Sequence, residues 1–311
     1  MIFAEDAIEE LRTLGDLVRW AASRFTEAEL SFGHGTDNAL DEAYYMVCHA
    51  LHLPHELPPY MMSTRLTKAE RRAAIGLLVE RINTRRPAPY ILQEAWFAGL
   101  SFYVDERVLI PRSPIAEMIE SGFQPWLKYN DVQHILDLCT GGGCIAIACA
   151  LAFPDAIVDA TDISQDALDV AHINVERFHL QQQVNLIHSD VFNALDPVVK
   201  KYDLIISNPP YVDAHDMALL TPEFQHEPVL ALRAGMDGLT IIKRILKRAA
   251  EYLTDDGLLV VEAGNSYVAL MDQFPMLPFI WPEFERGGHG IFILNATQLH
   301  EFQEELDKLM T

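Results

Sequence analysis

Apolar residues recur at helical spacing over the first quarter of the chain. Ile8, Leu11, Leu14, Leu17 and Val18 form one stripe, and Leu40, Ala43, Tyr44, Val47 and Leu51 form another. Such a period predicts amphipathic helices. Thr67 and Glu70 have the spacing of a capping box, which opens a further helix through Ile75, Leu78, Val79 and Ile82. Residues 1–86 therefore read as helical. Arg71, Arg72, Arg81, Arg85 and Arg86 make the last of these helices basic. The simplest expectation for that run is a solvated face, ahead of a contact surface for an anionic partner.

Pro87 and Pro89 interrupt the helical pattern. Two extended runs follow, Ala95 to Ala98 and Leu100 to Leu109, separated by Gly99 and carrying an Asp105-Glu106 turn, which predicts a β-hairpin linker. After Ile110-Pro111-Arg112-Ser113-Pro114 a helix is expected near 115–127. From His134 onward short apolar runs alternate with amphipathic ones. Strands are expected at 134–138, 156–161, 184–188, 203–207 and 257–263, and helices at 144–153, 165–179, 238–253 and 266–273. The tail adds two short strands near 280–286 and 290–295, joined by Gly287-Gly288-His289-Gly290 as a turn, and a last helix from about 297. Alternation of this kind implies an α/β fold with a doubly wound parallel sheet and helices on both faces. The domains expected are 1–90 (helical), 91–112 (hairpin linker) and 113–311 (α/β).

Composition narrows the class. Half of the 311 residues are hydrophobic, enough for two cores. No stretch of about 18 uncharged apolar residues is present, so no membrane span is expected. Met1 to Asp6 carries no basic, then apolar, leader pattern. Cys48, Cys139, Cys144 and Cys149 form neither a CxxC pair nor a disulfide framework, which fits a reducing cytoplasm. The net charge is −22, and it is uneven: residues 1–90 hold 13 acids against 10 bases, and residues 91–311 hold 32 against 13. Such a surface repels phosphate backbones and attracts basic proteins, so a basic protein is the expected partner and direct nucleic-acid readout is not.

The chemistry concentrates at predicted strand ends. Strand 134–138 runs into Cys139 and then Thr140-Gly141-Gly142-Gly143-Cys144, a glycine-rich turn that lets a ligand approach the backbone before an apolar helix. Asp162, 21 residues after Gly141, ends the next strand, where a carboxylate can accept from ribose hydroxyls. This spacing does not by itself separate a dinucleotide site from a methyltransferase loop. Asp190 ends the third strand, followed by Val191 and Phe192. There an acid could meet an adenine amino group, or equally cap a turn. The fourth strand ends in Asn208-Pro209-Pro210-Tyr211. A dehydrogenase has no use for that arm, whereas methylation of a planar nitrogen does. The lone pair of such a nitrogen is delocalised, and two acceptors, the Asn208 side-chain oxygen and the Pro209 carbonyl, can hold its N–H groups and turn the lone pair outward. Tyr211 can pack on the planar group while the prolines keep the arm rigid. Positioning of this kind can supply about 7–11 kcal/mol of a barrier.

Together these residues resemble the S-adenosylmethionine-dependent class I (Rossmann-like) methyltransferases, specifically the protein-(glutamine-N5) methyltransferases. The resemblance rests on Asp137 to Gly143, Asp162, Asp190, Asn208 to Tyr211, Glu227-Pro228, Leu230-Ala231-Leu232 and Gly238-Leu239, with the helical N-terminal region and hairpin alongside. It implies a small N-terminal helical domain that recognises the substrate. It also implies a cofactor site formed by Asp137, Thr140, Gly141, Gly142, Gly143, Cys144, Asp162, Asp190, Val191 and Asn208, and a catalytic arm of Asn208, Pro209, Pro210 and Tyr211. Val191 departs from the bulkier aromatic common at its position, and Phe192 is the alternative stacking residue. Arg112 to Glu117 look like the branch that modifies a glutamine of the third large-subunit ribosomal protein. Peptide release factors, and adenine-N6 methylation of RNA or DNA, are the alternative substrates for the same chemistry. No histidine shows metal-ligand spacing, so no metal is expected. Glu262, ending the fifth strand, is as readily a structural hydrogen-bond acceptor as a group facing the site.

Overall fold

The computed structural model describes residues 4–128 and 132–309. The leader expectation drawn from Met1, Ile2 and Phe3 lies partly outside them. The chain divides into two compact units, Met1–Ala95 with Leu220–His226, and Trp96–Leu219 with Glu227–Thr311. No described helix is long and apolar enough to cross a membrane.

The first unit is helical: α1 (Ala4–Glu10), α2 (Leu14–Glu27), α3 (Ala39–Ala50), α4 (Lys68–Thr84) and α5 (Ala88–Leu92). The stripe from Ile8 to Val18 is split between α1 and α2, because Thr13 caps α2 through a reciprocal box with Asp16. Thr67 and Glu70 form the expected box at α4. Leu14, Leu17, Phe25, Met46, Val47, Ile75 and Leu78 are buried in one core. The basic helix departs from expectation. Arg71 and Arg81 are buried, not solvated. Arg71 donates through Nε to the Ile8 carbonyl at 2.8 Å and through Nη1 to the Leu66 carbonyl at 2.8 Å. Arg81 donates through Nε to Glu42 Oε1 at 2.8 Å. Arginines at helix positions that face a core are tolerated when most of their donors find acceptors. Arg81 Nη1 is buried and lacks a hydrogen-bond partner, and a carbonyl 63 residues away leaves no trace in the local pattern.

The second unit opens with a hairpin, β1 (Ala95–Phe97) and β2 (Leu100–Phe102). The second arm ends well before Leu109. The helix expected near 115–127 is only one turn and a half, α6 (Ile115–Glu120). Gly122 and Phe123 take positive φ and fold back on its last turn, with Phe123 N–H donating to the Met118 carbonyl at 2.8 Å. A six-stranded sheet follows, from β3 (His134–Leu138), β4 (Ile157–Asp162), β5 (Val184–His188), β6 (Tyr202–Ser207), β7 (Leu253–Glu262) and β8 (Ile291–Asn295). Its order is β5-β4-β3-β6-β7-β8, all parallel except β8. Between the strands lie α7 (Cys144–Ala152), α8 (Gln165–Arg177), α9 (Ala214–Leu219), α10 (Val229–Leu232), α11 (Thr240–Tyr252) and α12 (Tyr267–Gln273), with α13 (Ala296–Glu301) and α14 (Gln303–Leu309) at the end.

The strands are apolar on both sides because both faces are covered. Ile135, Leu204, Ile206 and Val260 face one core, and Leu136, Leu138, Ile205 and Leu259 face the other. The strand expected near 280–286 is absent. Only Ile280 bridges to Ile293, so Gly287 to Gly290 is a loop rather than a hairpin turn between two strands. Pro282 cannot donate to a ladder, which confines pairing there to one residue.

Candidate active site

The chain runs outward from β3 to β4 and β5, then returns to place β6 on the other side of β3. This makes a switch point, the place where open α/β sheets bind ligands at their carboxyl ends. Leu138 pairs with Thr161 on one side and Ser207 on the other. The residues that follow, Cys139, Asp162 and Asn208, are therefore brought side by side. Thr140 N–H donates to the Thr161 carbonyl at 2.9 Å, and Ser207 Oγ–H to the Leu138 carbonyl at 2.8 Å, so all three strand ends are tied together. A cavity opens there, walled by Thr140, Gly141, Gly142 and Cys144 from the glycine turn, Asp162 from β4, and Asn208 and Pro210 from β6.

Each part of this wall has a local cause. Gly143 sits at φ 81°, and a Cβ there would come within 3.2 Å of Ala171 Cβ, so glycine sets the approach of α7 to α8. Asp137 lies behind the turn, fully buried and outside the cavity wall. Its Oδ2 accepts from Thr140 Oγ1 at 2.5 Å and from Ala146 N–H at 3.1 Å, while Oδ1 has no partner. Asp137 thus braces the turn rather than facing a ligand.

Burial pushes the Asp137 carboxyl up to about 7. The native state then holds a proton that the unfolded chain, titrating near pH 4, has lost. Stability is therefore greatest at the acid end of that window. It falls as pH rises from about 4 through about 7, by about 1.4 kcal/mol per unit. Asp137→Asn keeps one acceptor for Thr140 and Ala146 and removes the titration. Its unfolding free energy, measured by urea denaturation between pH 5 and 7.5, should be flatter with pH than that of the parent. An unchanged slope would show that Asp137 titrates elsewhere.

Asp162 Oδ2 accepts from Gly141 N–H at 2.9 Å and Oδ1 from Ser164 N–H at 2.9 Å. Burial raises its pKa while these backbone donors oppose the rise. A carboxylate offers about four lone-pair sites, so two remain for a ligand. Asn208 Oδ1 is a buried acceptor with no partner. An orphaned buried amide oxygen costs free energy, and at the carboxyl end of β6 it is placed to receive an N–H from outside the protein. Tyr211 is fixed from three directions. Its hydroxyl donates to Glu262 Oε1 at 2.9 Å, its carbonyl accepts from Ser266 Oγ at 2.8 Å, and its ring fills the space where a Cβ on Gly264 would sit, at 2.3 Å. Glu262 also accepts from Ser113 Oγ, so the structural role for this acid prevails and links Tyr211 to the Arg112–Glu117 segment.

Other expected residues fall elsewhere. Asp190 and Val191 are not among the cavity walls. Both Asp190 oxygens are held by Arg244, at 2.8 and 2.7 Å, and this pairing lowers the Asp190 pKa. Phe192 is buried with its ring stacked on Tyr252 at 4.4 Å, which commits it to the core. Sequence reading missed the clamp on the far wall. Glu227, with its side chain fully buried, accepts from Arg112 Nη1 at 2.6 Å and Nη2 at 2.8 Å, and from Ile110 N–H at 3.1 Å. The motif residues Pro228, Leu230 and Ala231 then line the cavity. Asp213, His215 and Asp216 at α9 also come within 4.8 Å of one another, a grouping that spacing did not single out.

The "Methyltransferase small domain" family matches residues 123–274. A ribosomal protein uL3 glutamine methyltransferase of Francisella tularensis is 45% identical over 305 residues, covering 98% of this chain and 96% of that protein. The chain belongs to the ribosomal protein uL3 glutamine methyltransferases. A second member, from Xanthomonas campestris pv. campestris, is 49% identical over 293 residues and 94% of each chain. The fold is also that of the hMettl16 catalytic domain in complex with MAT2A 3'UTR hairpin 6, at a TM-score of 0.50 and 18% identity over 72% of this chain and 81% of that one. Within the uL3 glutamine methyltransferases, the chain is a class I methyltransferase with S-adenosylmethionine as its cofactor.

Proposed function

We propose that this chain transfers a methyl group from S-adenosylmethionine to the side-chain amide nitrogen (N5) of a glutamine in ribosomal protein uL3. The observation that carries the chemistry is the orphaned, buried Oδ1 of Asn208 beside the glycine turn and Asp162. The substrate follows from membership of the uL3 family together with the acidic surface of residues 91–311.

The cavity wall fits the cofactor. Asp162, with two acceptor sites left, is assigned to the ribose hydroxyls. Gly141 and Gly142 let the ligand lie against backbone, and Asp190, held by Arg244, is assigned to the adenine edge. When bound, S-adenosylmethionine supplies an electrophilic methyl on a sulfonium. The chain's own residues hold the acceptor: Asn208 Oδ1 takes one N–H of the glutamine amide, the Pro209 carbonyl takes the other, and the Tyr211 ring, locked by Glu262 and Gly264, packs on the amide plane. Two fixed acceptors stabilise positive charge as it develops on nitrogen. No strong base is required: the positively charged nitrogen formed as the methyl leaves the sulfonium is acidic and gives up one proton to water. The helical unit is assigned to substrate recognition, and the four free cysteines support a reducing cytoplasm as the compartment.

The test offers radiolabelled S-adenosylmethionine with uL3, a peptide release factor and bare RNA in parallel. Label in uL3 is expected; label only in the release factor or the RNA would overturn the assignment. Asp162→Ala should weaken cofactor affinity by about tenfold or more, the worth of one or two charge-assisted hydrogen bonds. Calorimetric titration checks this, and an unchanged affinity would remove Asp162 from the ribose site.

A further inference from the structure

The cavity has a further wall besides the strand ends. The segment after the β1–β2 hairpin supplies Arg107, Val108, Leu109 and Pro111 to it. Asn174, a buried residue of α8, fastens that segment to the glycine turn. Its Oδ1 accepts from Tyr103 N–H at 2.8 Å, and its Nδ2 donates to the Tyr103 carbonyl at 3.0 Å and to the Gly142 carbonyl at 2.8 Å. Val108 lies against the same glycine: a Cβ on Gly142 would meet Val108 Cγ2 at 3.6 Å. All of these residues belong to the second unit.

Arg107 is built into this wall. Its Nε donates to Asp105 Oδ1 at 2.9 Å and its Nη2 to Asp105 Oδ2 at 2.6 Å. Asp105 is held in turn: its Oδ2 accepts from the Tyr103 hydroxyl at 2.9 Å, and its carbonyl from Val108 N–H at 3.1 Å. These bonds occupy Nε and Nη2 and leave Nη1 unengaged by Asp105. The charged side chains on the described cavity wall are Asp162, Arg107 and Arg112. Glu227 engages both terminal nitrogens of Arg112. Arg107 is therefore the cation placed to meet an anionic group in the cavity. The sheet order says which end of the cofactor it meets. With the ribose at Asp162 on β4 and the methyl at Asn208 after β6, the sulfonium and its amino-acid chain cross the end of β3, over the glycine turn. That chain ends in a carboxylate, and a carboxylate taken out of water needs charged or fixed donors. A guanidinium already oriented by a neighbouring acid supplies them with little further ordering.

We propose that Arg107 binds the α-carboxylate of S-adenosylmethionine, with Asp105 and Asn174 holding it over the glycine turn. This rests on the cofactor site described above and adds the group that reads its amino-acid end. The carboxylate takes no part in methyl transfer, so the effect of Arg107 falls on cofactor affinity and on discrimination between cofactor analogues.

The test is a cycle in which one arm removes the cation and the other removes the anion. Calorimetric titration of the full chain compares S-adenosylmethionine with decarboxylated S-adenosylmethionine, which lacks only the α-carboxylate, in the parent and in Arg107→Met. The parent is expected to bind S-adenosylmethionine about tenfold or more tightly than the decarboxylated analogue, the worth of a charge-assisted contact. In Arg107→Met that preference should shrink to within about twofold, because S-adenosylmethionine weakens and the analogue does not. Equal affinities in the parent, an undiminished preference in Arg107→Met, or an equal loss for both ligands would overturn the proposal. If Arg107→Met does not fold, Arg107→Gln, which keeps a polar end beside Asp105, must show the same loss of preference. A parent that binds neither ligand would sink the cofactor site itself, an outcome distinct from any change in preference. Because the readout is binding, it stands whether or not uL3 accepts the methyl.

Discussion

Replacing Asn208 with alanine should lower kcat by about 10²–10³ or more while leaving the affinity for S-adenosylmethionine within a few-fold. The magnitude is that of deleting one fixed polar group that stabilises charge in a transition state. Asn208 Oδ1 is buried, without a partner, and held by the proline that follows it. Alanine removes the acceptor and leaves the wall from Thr140 to Cys144 and Asp162 in place, so cofactor affinity is retained. The loss should appear in kcat and kcat/KM together, because the interaction strengthens only as charge develops on the amide. Asn208→Asp is a sharper variant. It keeps an acceptor but adds a charge at a buried atom, and it should also be strongly impaired. Single-turnover kinetics with uL3 check both. Activity in Asn208→Ala near that of the parent would remove the amide clamp from the mechanism.

The second large effect is on stability. Arg112→Met should destabilise the fold by about 3–5 kcal/mol, because it strips the guanidinium from a carboxylate that is fully buried. For a unit of this size that corresponds to a fall in Tm on the order of 10 °C. The companion variant Arg112→Met/Glu227→Gln removes the charge as well as its partner and should recover much of the loss. A double-mutant cycle by thermal or denaturant unfolding measures the coupling. Additive effects of the two substitutions would show that the pair is not coupled. The variant should also weaken the wall at Pro228, Leu230 and Ala231, so its activity should fall further than its folded fraction.

The parallel sheet and the strand ends were legible in the sequence because they rest on local pattern. Ile135 to Leu138 and Leu204 to Ile206 are apolar on both faces, as buried parallel strands must be. Thr67 with Glu70 is a capping signal written within four residues. The juxtaposition of Gly141, Asp162 and Asn208 follows once the strand order reverses between β3 and β6. The failures share a different cause. Arg81 reads as a surface cation until Glu42, 39 residues away, is seen beside it. Asp190 reads as an unpaired acid at a strand end until Arg244, 54 residues on, is seen donating to both its oxygens. Glu227 reads as motif until Arg112 is found clamping it. These are long-range charge pairings, and no period along the chain encodes them. The short α6 and the missing strand at 280–286 are errors of another kind: Gly122 and Pro282 stop their elements earlier than the apolar pattern suggests.

The central claim is that Asn208 to Tyr211 present a glutamine amide nitrogen to a methyl donor. Tandem mass spectrometry of uL3, treated with the enzyme and S-adenosylmethionine, tests this most directly. The account predicts one added methyl on the side-chain nitrogen of a glutamine, present with the parent enzyme and lost with Asn208→Ala. A methyl placed on a lysine, an arginine or a backbone atom, or one that persists in Asn208→Ala, would contradict it.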